Sequence, residues 1–173
     1  MNLTVIMVKI IGKIGELNTQ QLLDVYLQSH ENYGTEHFPK LDAHEQLVFA
    51  QEDFLSYLRD DFFQQKDAFY AVWIVDGVYQ CALRLEPYRD GMLLQALETA
   101  PKARRKGYAG SLIAEVLKHL QGRSYKAVYS HVEKRNIPSL AVHYKCGFQK
   151  LTDSATYLDG TVTQRSCTLC YYL

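Results

Sequence analysis

The run Arg104-Arg105-Lys106-Gly107-Tyr108-Ala109-Gly110 carries the clearest chemical potential in the chain. It stands at the head of a stretch in which Ala109, Leu112, Ile113, Val116, Leu117 and Leu120 recur at offsets of three and four, the period of an amphipathic helix. Backbone N–H groups at a helix start lack partners within the helix, and the aligned peptide dipoles add partial positive charge there. Gly107, Ala109 and Gly110 let a ligand come close to the backbone, while Arg104, Arg105 and Lys106 surround it with cations. Such a run can cradle a pyrophosphate. It can equally be a solvated basic turn whose glycines serve packing. It is neither a GxxxxGKS/T loop nor a GxGxxG dinucleotide turn.

Other reactive residue types carry less. The four cysteines stand at 81, 146, 167 and 170. The CxxC pair, Cys167 and Cys170, falls in a Thr- and Tyr-rich stretch, 161–173, that reads as a strand, where residues three apart face opposite ways. A zinc site needs a second ligand pair and a redox CxxC needs a helix after it; both are missing. His30, His37, His44 and His119 show no metal-ligand spacing, so no metal is expected.

The elements that must hold the basic run in place can be read from periodicity and turn chemistry. Residues 3–11 read as a strand, Asn18 caps a helix with Leu22, Leu23, Val25, Tyr26 and Leu27 on one side, and 30–39 reads as a break. A second helical region spans 42–65. Strands are expected at 69–75, 78–85 and 92–99, joined by Asp76-Gly77 and by Tyr88-Arg89-Asp90-Gly91, as an antiparallel meander. After Pro101 come a helix over 107–121, a strand over 127–132, a short helix over 138–145 and, from Phe148, a hairpin turning at Asp159-Gly160. The order predicts one mixed α/β domain over residues 1–173, without repeats or linkers.

Composition agrees. The 173 residues are 47% hydrophobic and 22% charged, as in a folded domain with its own core. Nineteen basic residues balance nineteen acidic ones, which argues against a dedicated nucleic-acid binder. The apolar start, interrupted by Lys9, is too short for a membrane span and lacks the flanks of a signal peptide. A cytoplasmic address is expected, with no membrane partner.

Two segments together carry a resemblance. The first is Arg104, Gly107 and Ala109, with Pro101 three residues before the arginine. The second is Asn136 after the next strand, followed at the end of a short helix by Gly147-Phe148. Their order and spacing resemble the GNAT superfamily of acetyl-CoA-dependent N-acetyltransferases, which shows Q/R-x-x-G-x-G/A after its fourth strand. The order of elements is similar over nearly the whole chain.

The resemblance implies a GNAT-like seven-stranded, mostly antiparallel sheet flanked by helices, with the fourth and fifth strands splayed. Acetyl-CoA is the implied acyl donor. Its pantetheine arm would bond the backbone around Leu97 and Thr99, its pyrophosphate would sit on the amides of Arg105, Lys106, Gly107, Tyr108, Ala109 and Gly110 beside Arg104, and Asn136 would face the arm. Asn136 as a simple helix cap is compatible with that role.

The family commonly has a tyrosine four residues before the glycine to protonate the leaving thiolate. Here that slot holds His143, and Tyr144 is displaced by one position, about 100° around a helix. His143 ranks ahead of Tyr144 for this role. Glu98 is the first choice of general base, with His131 and Glu133 as alternatives. Tyr33, His37 and Phe38 could wall the acceptor site.

The implied reaction is acetyl transfer to a primary amine of a small molecule or peptide by direct attack in a ternary complex. The alternatives are a CoA-binding regulator without turnover, transfer of another acyl group, and nucleotide binding. Residues 16–67 hold eleven acidic and three basic residues, and 101–150 hold eleven basic and two acidic. The acidic half could steer a cationic amine to the acceptor side; ordinary solvated helix faces would give the same count. A monomer or a homodimer is expected.

Overall fold

Strand alternation divides the apolar residues of the central strands between two faces, and each face is covered by helices. The computed structural model describes residues 3–173. In chain order the elements are β1 (Ile6–Ile11), α1 (Thr19–Val25), α2 (Leu27–His37), α3 (Ala43–Asp60), β2 (Phe69–Val75), β3 (Val78–Tyr88), β4 (Gly91–Thr99), α4 (Tyr108–Leu120), β5 (Ala127–Glu133), α5 (Ile137–Lys145), β6 (Gln149–Thr152), β7 (Ala155–Thr156), β8 (Val162–Thr163) and β9 (Ser166–Tyr172). Seven strands form one mixed sheet in the order β1-β2-β3-β4-β5-β9-β6, and β7 and β8 make a separate small hairpin. All neighbours in the large sheet are antiparallel except β4 and β5. The expected fold class and the splayed pair are both present.

One face packs Ala71, Cys81, Leu83, Met92 and Leu94 against Leu112, Ile113, Val116, Leu117 and Leu120 of α4. The opposite face packs Tyr70, Val72 and Ala82 against Leu22, Val25, Tyr26 and Leu58 of α1 and α3. Each large side chain buried in this way contributes about 1.5–3 kcal/mol. Local chemistry sets the helix starts. Asn18 caps α1 by accepting from the Gln21 amide, and Asp42 and Glu45 form a reciprocal capping box at α3. Cys167 and Cys170 lie on opposite faces of β9, both buried.

The segment 30–39 is a correction: most of it is helix, continuing α2 to His37. Its Gly34 is no breaker. A Cβ there would come within 2.6 Å of the Gln46 carbonyl oxygen, so the glycine permits α2 and α3 to touch backbone to backbone. Tyr33 and His37, one turn apart, stack at 3.9 Å on the outer side.

Pairing of β4 with β5 covers only Met92↔Val128, Leu93↔Tyr129 and Leu94↔Ser130. At the tight end, a Cβ on Gly91 would lie 1.9 Å from the Ala127 carbonyl oxygen. At the open end, Ala96 has a left-handed φ of 51° and the β3–β4 register shifts between Ala82 and Arg84. This bulge bends β4 away from β5. The Tyr26 hydroxyl, at the junction of α1 and α2, donates to the Ala96 carbonyl at 2.6 Å and helps to hold the strained residue.

Candidate active site

Beyond Leu94, the edge of β4 that faces β5 has no partner strand, so its backbone polar groups open onto a cleft. The cleft has a volume of about 890 Å³, and its walls include Leu97, Thr99, Arg104, Arg105, Ala109 and Asn136. These six residues come from β4, from the turn before α4, from the first turn of α4 and from the start of α5. Gly107 caps α4 with a φ of 83°, and Arg105 has a φ of 62°. The left-handed turn leaves the amides of Tyr108, Ala109 and Gly110 without intrahelical acceptors. Lys106, Gly107, Tyr108 and Gly110 are not among the residues that wall the cleft. Tyr108 instead stacks on Trp73 at 5.9 Å, and the Cys146 thiol reaches the Gly110 carbonyl at 3.6 Å.

Arg104 spans the mouth. Its Nε donates to the Thr99 carbonyl at 3.3 Å and its Nη2 to Gln28 Oε1 on α2 at 2.7 Å. The Thr99 carbonyl is therefore engaged within the chain. Asn136 Oδ1 accepts from the Ser139 amide at 3.1 Å, capping α5. Asn136 is thus a helix cap and a cleft residue at once.

Two smaller cavities adjoin. One, about 190 Å³, lies where β4 and β5 diverge and is lined by Glu98, Ser130, His131, Glu133 and His143 among others. The other, about 490 Å³, lies under α2 and α3 and is walled by Tyr26, His30, Tyr33, Phe54, Tyr57 and Arg84. Glu98 lines all three cavities. Ser29 Oγ donates to Glu98 Oε1. Burial pushes the Glu98 carboxyl above its ordinary value, against the opposing effects of the Ser29 hydrogen bond and the Arg104 charge.

The helix period separates the two thiolate candidates. His143 is 2% exposed and faces the narrow cavity, whereas Tyr144 is 46% exposed and lines none of the three cavities. His143 Nδ1 donates to the Ser139 carbonyl at 2.7 Å, which leaves Nε2 as the lone-pair nitrogen, buried and without a partner. Burial lowers the imidazole pKa. His131, wedged edge-on between Tyr88 and Tyr157, is lowered for the same reason. Tyr33 walls the second cavity, but His37 and Phe38 do not.

Sequence reasoning missed Ser29, Arg84 and Tyr26. Ser29 fell in the transition to the supposed break. Arg84 did leave a signal, a lone charge within Cys81-Ala82-Leu83-Arg84-Leu85. Among the described residues no cluster of three or more His, Cys, Asp or Glu could hold a metal, and no helix is long and apolar enough to cross a membrane.

The sequence model of the Acetyltransferase (GNAT) family matches residues 25–148. No curated protein matches the sequence. Among solved structures, the PaiA N-acetyltransferase of Thermoplasma acidophilum in complex with coenzyme A is similar, with a TM-score of 0.65 at 13% identity, over 96% of this chain and 99% of that one. Spermidine N-acetyltransferase of Vibrio cholerae, in complex with CoA and spermine, gives 0.60 at 16% identity over 96% and 95%. A ribosomal-protein-alanine N-acetyltransferase of Escherichia coli gives 0.60 at 13% identity over 98% and 94%.

Proposed function

The chain belongs to the GNAT acetyltransferase family, and on that footing we propose that it transfers an acetyl group from acetyl-CoA to a primary amine by direct attack. The observation that carries the reading is the position of Glu98. Among the described residues it is the one shared by the large cleft, the narrow cavity between the diverging strands and the cavity beneath α2 and α3.

The cleft fits the donor. Its β4 edge around Leu97 and Thr99, free of a partner strand although Arg104 holds the Thr99 carbonyl, can hydrogen-bond an amide-bearing arm. The free amides of Tyr108, Ala109 and Gly110 at the start of α4, continued by the turn from Arg105 to Gly107 before it, suit a pyrophosphate, with Arg104, Arg105 and Lys106 as nearby cations. Asn136 stands beside the arm. That two similar proteins are in complex with CoA supports CoA as the carrier of the acyl group. Acetyl-CoA supplies an acetyl thioester: the amine nitrogen forms the new bond to carbon, the C–S bond breaks, and of the two protons shed by the ammonium one ends on the CoA sulfur and one in solvent.

Glu98 removes the first proton. Burial raises its pKa, which makes the ionised carboxylate a stronger base than an exposed one. Ser29 orients the carboxylate. Backbone N–H groups on the open edge of β4 stabilise the developing oxyanion. His143, through Nε2, accepts a proton and passes it to the departing sulfur. With Nδ1 held by Ser139, it must be charged first, which burial opposes, so it acts as a relay rather than a standing acid. Tyr144 takes no part. The acceptor enters from the side of α2 and α3.

Titration calorimetry with acetyl-CoA, with ATP as control, tests the donor site. Acetyl-CoA is expected to bind and ATP not to. Absence of acetyl-CoA binding overturns the reading. Release of free CoA thiol with an amine panel then distinguishes turnover from a CoA-binding regulator.

A further inference from the structure

The 490 Å³ cavity contains a positive charge for which the acetyl transfer described above has no role. Arg84 extends from the middle of β3 onto the face covered by α1 and α3. Its guanidinium carbon lies 4.9 Å from the Tyr57 ring centroid and 5.6 Å from that of Phe62. Nη2 donates to Gln95 Oε1 at 3.3 Å, but Nε is shielded from solvent and has no acceptor. Among the described residues, no carboxylate pairs with the guanidinium within 4.0 Å. Glu86, two residues along the same strand face, is held by Gln65 Nε2 at 2.7 Å. Directly across on β2, the buried Tyr70 hydroxyl neighbours the guanidinium, without a hydrogen bond of good geometry to Nε.

An Nε–H shielded from solvent and left without an acceptor is costly unless something brings an acceptor to the guanidinium. Aromatic faces offset part of the charge but do not satisfy the N–H groups at the edge. The planar edge of a guanidinium matches a carboxylate two bonds at a time. The rest of the wall sets the body and the far end of the ligand. Tyr26, Phe54 and His30 offer ring surfaces, and His30 is neutral, since burial holds its pKa down to about 4. At the other end stands Glu98. Ala82 lies directly opposite Glu98 in the β3–β4 pair and Arg84 two residues further on, so the two charged residues are anchored about 8 Å apart by strand spacing.

Resting on the acetyl-transfer reading, we propose that the acceptor is itself a carboxylate: an apolar or aromatic amino acid, or a similar amino carboxylate. Its carboxylate pairs with Arg84, its amine faces Glu98, and its side chain lies against the rings. The volume suits a small molecule. Rings alone would equally suit a polyamine, but the fixed charge of Arg84 opposes a cation at this depth. The exposed Asp53 at the rim and the acidic surface of α1 to α3 attract the amine end only. The cationic acceptor expected from charge counts thereby becomes a zwitterion.

Matched pairs test this: phenylalanine against phenethylamine, leucine against isopentylamine, and spermidine as the polyamine. Acetyl-CoA binding is titrated in the same samples. The carboxylated member of each pair is expected to have the higher kcat/KM, by roughly 10- to 100-fold. In Arg84→Gln that ratio collapses toward one, mainly through KM for the carboxylated amine, and Arg84→Lys restores part of it. Thermal melting and acetyl-CoA binding of both variants check that the fold is kept. A preference for decarboxylated amines or spermidine, a ratio unmoved by Arg84→Gln, or no turnover of any carboxylated amine by protein that binds acetyl-CoA would each overturn the proposal. Loss of acetyl-CoA binding in the unaltered protein would instead overturn the donor reading beneath it.

Discussion

Glu98→Gln keeps the shape of the side chain and an acceptor for Ser29 while removing the base. If Glu98 takes the amine proton, kcat falls by about 10²-fold or more while KM for acetyl-CoA changes little, because the donor cleft is left intact. The pH profile gives a second readout. Burial raises the Glu98 pKa, so activity is lost as pH falls through a value above the ordinary carboxylate range. That acid limb should vanish in the variant. An unchanged profile would remove Glu98 from the chemistry. At this scale the sequence exposed what sits in recognisable spacing, namely Arg104, Gly107, Asn136 and the His143 slot. Ser29 left no local signal and Arg84 only a lone charge in an apolar run, because the place of each is set by neighbours far along the chain: Ser29 meets Glu98, and Arg84 meets Tyr57 and Phe62.

The cleft exists because β4 and β5 are clasped at one end and bent apart at the other. Gly91 makes the clasp, with no room for a Cβ beside the Ala127 carbonyl. Gly91→Ala must push the strands apart at their paired end, and overpacking of this kind costs about 1–3 kcal/mol. Because Met92 to Leu94 set the register from which the splay begins, the same variant should bind acetyl-CoA more weakly. A lower melting temperature with unchanged affinity would mean that the splay is set by the Ala96 bulge alone. Element types were largely readable, since the 3.6-residue period of α4 and the turns at Asp76-Gly77 and Tyr88–Gly91 are local signals. The helix over 30–37 was not. Gly34 reads as a breaker from sequence, and only the approach of α3 to its backbone shows what the glycine is for.

At the scale of the whole molecule, the sheet's two covered faces bury neutral imidazoles. His30 has its pKa lowered to about 4, and His131 and His143 are lowered too, in each case chiefly by burial. Between the unfolded value near 6.5 and the folded value, the unfolded chain binds more protons, so stability falls as pH drops through that window. Glu98 works in the opposite sense. Its raised folded pKa gives a contribution that is present below the unfolded carboxylate value and lost as pH rises through the folded one. His119 is lowered in the same way, and one carboxyl against four imidazoles leaves a net loss of stability on mild acidification. For His30 alone, going from pH 7 to pH 5 should cost about 1–2 kcal/mol. Its ring lies 4.8 Å from Phe54 and 6.2 Å from Tyr26 with Nδ1 unpartnered, so His30→Phe removes the titration while keeping a ring in the cluster. Denaturant unfolding at the two pH values should show a smaller acid-induced loss in His30→Phe than in the unaltered chain. Equal losses would place the acid sensitivity in the other lowered imidazoles, His119 on α4 and His131 and His143 beside the diverging strands.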